Sequence, residues 1–156
     1  MKDVEDSFRN QIDELSMTLG QAIWAFARVE RVTYLYMKQL STDTLDVLMA
    51  DQSIPTRIRV IKHLINRATG PESIKQQALT CLKRIHALAE KRNLIAHNPW
   101  STYLDLDAGE FVGEIEKVTD ASEVISKAEL EKFSRDALDL AANFESALSE
   151  LRYHHK

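Results

Sequence analysis

Arg92-Asn93-Leu94-Ile95-Ala96-His97-Asn98-Pro99-Trp100 is the stretch on which the fold turns, because a long helical pattern stops there. Proline cannot continue a helix, and it pushes the residue before it out of the α region. Asn98 is therefore the expected helix end, with His97 on the last turn. The same stretch supplies an always-charged guanidinium, an amide and an imidazole, a group that can trade a proton near neutral pH. A fixed positive charge beside a proton carrier suits phosphoryl chemistry or nucleotide binding. The spacing alone does not choose between them.

Upstream of this stop, Pro71 to His97 reads as one helix. Turning about 100° per residue, Ile74, Ala78, Cys81, Leu82, Ile85, Leu88, Ala89 and Ala96 share one face, and Arg92 falls in its middle. His86, Glu90, Asn93 and His97, in steps of four, three and four, form a second, polar stripe. An arginine inside an apolar stripe needs a compensating charge, since an unpaired buried ion is strongly destabilising. Glu30, at the margin of the first helix's stripe, is the candidate on facing-helix grounds. A structural ion pair is also a complete alternative account of Arg92.

Further out, Asp6 to Leu40 carries Phe8, Ile12, Leu15, Leu19, Ala22, Phe26, Val29, Thr33, Met37 and Leu40 at helical spacing. Its length, roughly 50 Å at 1.5 Å per residue, predicts a kink at Gly20 or two consecutive helices. Leu45 to Met49 reads as a short turn, and Pro55 as the start of a helix to Ala68. That helix turns Ile58, Ile61, Leu64 and Ile65 inward, and Arg57, Arg59, Lys62 and Arg67 mostly outward. After Pro99, Trp100 to Leu106 and Glu110 to Ile115 read as strands joined by a turn at Asp107-Ala108-Gly109. Such a hairpin is marginal alone, so it is expected to lie on the helices through Trp100 and Tyr103. Ser126 and Glu129 form a capping box for a last helix to about Tyr153, with His154 and His155 solvated beyond it. The expectation is one all-α domain over residues 1–156. It is a four- to five-helix bundle with a small β-hairpin, about 100–118, inserted before the last helix.

Composition bounds the rest. The chain has 156 residues, 44% hydrophobic and 28% charged, with four glycines and three prolines, the profile of one globular domain rich in helix. The start lacks a signal-peptide pattern, and no apolar run is long enough to cross a bilayer, so no membrane partner is expected. Cys81 stands alone in apolar surroundings and reads as a buried thiol of a cytoplasmic protein. A net charge of −4 argues against broad nucleic-acid binding. Between Ile54 and Asn98, however, nine bases stand against only Glu72 and Glu90. A basic middle between acidic flanks can hold a polyanion locally, or can be two solvated basic helices.

Several chemistries are set aside. No glutamate has a histidine three places later, as a di-iron bundle requires, and Cys81 alone cannot make a thiolate zinc site. No phosphate-cradling glycine loop and no Gly-x-Ser-x-Gly elbow occur. His86 and Glu90 at i and i+4 can grip a metal or simply pair on the surface.

What remains is Arg92, Asn93 and His97. The string Arg92-Asn93-Leu94-Ile95-Ala96-His97 resembles the Arg-x(4–6)-His motif of the HEPN superfamily (higher eukaryotes and prokaryotes nucleotide-binding), including its polar residue directly after the arginine. The order of elements is similar as well. The first helix is long and carries an inward acid, the motif closes a middle helix, and one more helix ends the chain. The resemblance implies a metal-independent endoribonuclease without cofactor, working as a homodimer with two motifs facing each other. Proteins of this kind serve as toxins or antiphage effectors, for which an antitoxin or another regulatory protein would be a partner. Arg92, Asn93 and His97 would be the catalytic group, with Glu30 and Trp100 in support. Lys91, Arg84 and Lys83 would contact phosphate or RNA. Toxins paired with nucleotidyltransferase antitoxins carry a tyrosine two residues after the histidine; here Pro99 stands instead, so tyrosine-directed regulation is not implied. The alternative is a non-catalytic HEPN-like module that binds nucleotide, RNA or protein.

Overall fold

A computed structural model describes residues 2–154, with side chains from 4 to 152. The solvation expected of His154 and His155 lies outside the described side chains. The elements run α1 Lys2–Gln39, α2 Leu45–Leu48, α3 Ile54–Arg67, α4 Glu72–His97, β1 Trp100–Asp105, β2 Glu110–Lys117, β3 Asp120–Ser126 and α5 Lys127–His154. The architecture is mostly helical, with a small antiparallel sheet ordered β1-β2-β3 ahead of the last helix.

The helices form where the apolar stripes demanded them. On α5, Leu130, Phe133, Ala137, Leu140, Phe144, Leu148 and Leu151 are all buried, and so are Leu15, Ala22, Phe26, Val29 and Met37 on α1, with Leu40 just past its end. These two stripes pack on each other, with Tyr36 and Phe144 stacked at 4.0 Å between ring centroids. The Tyr36 hydroxyl donates to the Phe144 carbonyl at 2.9 Å. Burial drives that phenol far above its ordinary range, so it stays a neutral donor. Burial likewise raises the Cys81 thiol.

Three expectations are corrected. α1 is one helix of 38 residues rather than two, and Gly20 sits on its open side with nothing near enough to force a break. Its extra length crosses the sheet: Phe8 meets Phe111 edge-on at 5.1 Å, and Gly113 lies so close to Leu15 that a Cβ there would strike its side chain. The hairpin therefore docks through β2, with Ile115 fully buried, while Tyr103 is 47% exposed and only Trp100 packs partly on the core. Finally, the hairpin is a three-stranded sheet, because β3 pairs with the far edge of β2 and sets Ile125 opposite Ile115. The expected turn is present, with Asp105 accepting the N–H groups of Asp107 and Ala108 and Gly109 at φ 70°.

Candidate functional site at the end of the fourth helix

α4 ends as the sequence requires. Asn98 is extended at φ −113° and ψ 149° ahead of Pro99, and its side chain fastens the junction. The Asn98 amide nitrogen donates to the Leu94 carbonyl at 2.8 Å, and its oxygen accepts the Val118 N–H at 3.1 Å. One residue thus caps an orphan carbonyl of the last turn and ties it to the sheet. This holds the His97 backbone in place, a positioning role the sequence reading did not assign. The signal for it was an asparagine immediately before a helix-ending proline.

Arg92 is neither sealed nor free. Its guanidinium lies 5.6 Å above the Phe26 ring and donates to Asn93 Oδ1 at 2.9 Å. Glu30 Oε1 is 3.8 Å away, and the Arg92 side chain keeps 30% exposure. The expected Glu30–Arg92 pair is therefore present but loose. The closer partner of Glu30 is Arg57, at 3.2 Å. Expected to point outward, Arg57 is buried at 5% exposure. It donates to the Gln52 carbonyl and to Thr33 Oγ1 and lies 4.8 Å over the Tyr34 ring. The reason is positional: Ile54, Arg57, Ile61 and Ile65 recur in steps of three, four and four, so Arg57 belongs to the inner stripe of α3.

His97 and Asn93 are exposed, as are His86 and Glu90 of the same stripe. His86 Nδ1 and Glu90 Oε1 stand 3.9 Å apart. Among the described residues Asn93 makes its side-chain bond to Arg92, not to His97. The guanidinium and the imidazole open into different clefts. Arg92 lines one of about 300 Å³ with Glu30, Arg57, His86 and Glu90. His97 lines one of about 730 Å³ between α4 and the sheet, with Lys91, Lys117, Glu123 and Glu129. Glu90 and Asn93 border both. A five-residue step turns a helix through 500°, leaving Arg92 and His97 about 140° apart around α4.

The expected phosphate contacts scatter. Lys91 is engaged by Glu129 at 3.6 Å, and Lys117 by Glu123. Those pairs leave the His97 cleft without a net basic lining. Lys83 lies in a separate groove with Lys62 and Ile58, and Arg84 is exposed and lines neither cleft. Trp100 packs against the core rather than into either cleft. Among the described residues, no group of three or more His, Cys, Asp or Glu side chains could hold a metal ion, and no helix is long and apolar enough to cross a membrane. No protein-family model, curated protein or solved structure matches the chain.

Proposed function

We propose that this chain is a metal-independent endoribonuclease of the HEPN type, active as a homodimer in which two α4 ridges face each other. The observation that carries the reading is the open ridge itself. Asn93 and His97 stand in solvent at the end of α4, with the Arg92 guanidinium held at the rim by Asn93. Cleavage by a ribose 2′-hydroxyl needs one group to take its proton and another to protonate the departing 5′-oxygen. One imidazole cannot do both at once, whereas two related by a two-fold axis can. The 2′-oxygen bonds to phosphorus as the bond to the 5′-oxygen breaks, leaving a 2′,3′-cyclic phosphate and a 5′-hydroxyl. Arg92 would stabilise the charge that gathers on the phosphoryl oxygens.

Purified protein incubated with RNA in EDTA is expected to produce cyclic phosphate ends, and His97→Ala to lower the rate by about 10²–10⁴-fold while keeping the fold. Equal cleavage by both proteins rejects the assignment. A second reading, a HEPN-like module that binds RNA, nucleotide or protein without cutting, is favoured by one observation. Glu30 holds both Arg57 and Arg92, which gives the motif arginine a structural use. RNA bound but left intact by the native chain selects this second reading.

A further inference from the structure

The two edges of the sheet differ in character. β3 carries Asp120 and Glu123 and meets β2 through an irregular register at Glu116 and Lys117. β1 is guarded only at its ends, by Pro99 before it and Asp105 at its close. Trp100 to Leu104 holds no charge and no proline, and β1 pairs with β2 in unbroken register from Trp100 to Asp105. Proteins ordinarily blunt an edge strand with charges, proline or bulges, because its free backbone groups are a template for another strand.

Which groups are free follows from the register. Opposed residues of an antiparallel pair alternate between exchanging both hydrogen bonds and exchanging none. The Glu116 N–H donates to the Pro99 carbonyl, so Ser101, Tyr103 and Asp105 face β2 with their backbone groups. The N–H and C=O of Trp100, Thr102 and Leu104 point away from the sheet. No backbone bond from another element reaches them among the described residues. Apolar surface accompanies this open edge: Leu104 is 44% exposed, and on the α1 turns near the sheet Phe8 is 37% and Ile12 is 40% exposed.

We propose that β1 is an interface at which two copies of this chain join their sheets about a two-fold axis through Thr102. In that register Thr102 bonds the partner's Thr102, and Trp100 and Leu104 bond the partner's Leu104 and the partner's Trp100. Every outward N–H and C=O of the strand is then used. Pro99, which has no N–H, falls opposite the partner's Asp105 in a pair that exchanges no bonds. A second copy fits better than a foreign peptide because the strand is its own complement. Threonine meets threonine, tryptophan covers the exposed leucine, and serine lies beside tyrosine. These are favourable cross-strand pairs, and no like charges are opposed. The result is one continuous antiparallel sheet with no free β1 edge.

The pairing uses β1 and no α4 residue, so the inference does not rest on the nuclease reading. The test compares sedimentation of the native chain with Thr102→Pro, Leu104→Lys and, on the α4 ridge, Ala87→Arg. Thr102→Pro removes only an outward N–H and leaves the β1–β2 ladder intact. The expected result is that both β1 variants sediment as a smaller species than the native chain while Ala87→Arg keeps the β1-paired dimer. A native dimer that both β1 variants turn into monomer supports the β1 pairing and refutes the α4-faced dimer. A tetramer that either class of variant reduces to a dimer supports both surfaces. A dimer broken only by Ala87→Arg, or a native chain that is monomeric throughout, overturns the β1 pairing. Should a β1 variant fail to fold, amide exchange on the native chain decides. Protection at Trp100, Thr102 and Leu104 that rises with protein concentration supports the pairing, and exchange independent of concentration refutes it.

Discussion

Arg57 and Arg92 share one carboxylate, yet they differ in what they hold. The Arg57 side chain is 6% exposed and sits 3.2 Å from Glu30, with Thr33 and Gln52 completing its bonds. Removing it leaves Glu30 with only the looser Arg92 pair and takes a donor from Thr33 and from the Gln52 carbonyl. Arg57→Ala is expected to cost about 3 kcal/mol. Arg92 is 3.8 Å from Glu30 and 30% exposed, so Arg92→Ala is expected to cost about 1 kcal/mol or less. Urea unfolding of both variants checks the order; a larger loss at Arg92 would make it the true anchor of Glu30. The position of Arg57 was legible in the apolar spacing of α3. What misled the reading was residue type, since an arginine that is one of four bases on a helix is ordinarily solvated. Glu30 was legible as a candidate partner for a cation from its place at the margin of the α1 stripe. Its nearer cation was missed because a single sequence does not say which of two arginines a carboxylate will face.

α5 begins at a signal that could be read directly. The Ser126 N–H donates to Glu129 Oε2 at 2.9 Å, and the Glu129 N–H returns a bond to Ser126 Oγ at 3.3 Å. Two orphan donors of the first turn are satisfied reciprocally. Ser126→Ala is expected to destabilise by about 1 kcal/mol. The Ser126 N–H first, and Lys91 after it, hold the Glu129 carboxyl below its ordinary range. Because the folded value is depressed, this contribution is complete above the unfolded pKa, about 4.3, and is lost as the pH falls through the lower folded value. Glu129→Gln should therefore flatten the stability profile on the acid side while changing little of its slope near neutrality. Thermal unfolding at stepped pH measures it, and parallel curves for both proteins would contradict the linkage. β3 was not legible in this way. Asp120-Ala121-Ser122-Glu123 has neither alternation nor β-branched residues, and the strand exists because β2 offers a free edge that Ile125 can join opposite Ile115. Val124 and Ile125 favour a strand by type, and pairing with β2 carries it back to Asp120 against the propensity of the first four residues.

At the scale of the whole molecule, the five-residue spacing of the motif sets a limit that was already readable from helix geometry. Arg92 and His97 diverge around α4, so one copy presents a guanidinium to one cleft and an imidazole to another. Whether they ever face a common phosphate depends on a second chain, and the spacing within α4 does not specify how two ridges meet. The nuclease reading therefore makes a quantitative demand on mixtures. Suppose His97→Ala chains exchange freely with native chains and each active unit needs two imidazoles. Cleavage must then follow the square of the native fraction, falling to roughly a quarter of the native rate when half the chains are variant. Chains that work alone would lose activity in simple proportion and retain roughly half at the same mixture. Mixing the two proteins at fixed total concentration, with time for subunit exchange, separates the two laws. A linear decline would remove the two-fold mechanism while leaving His97 as the group that moves the proton.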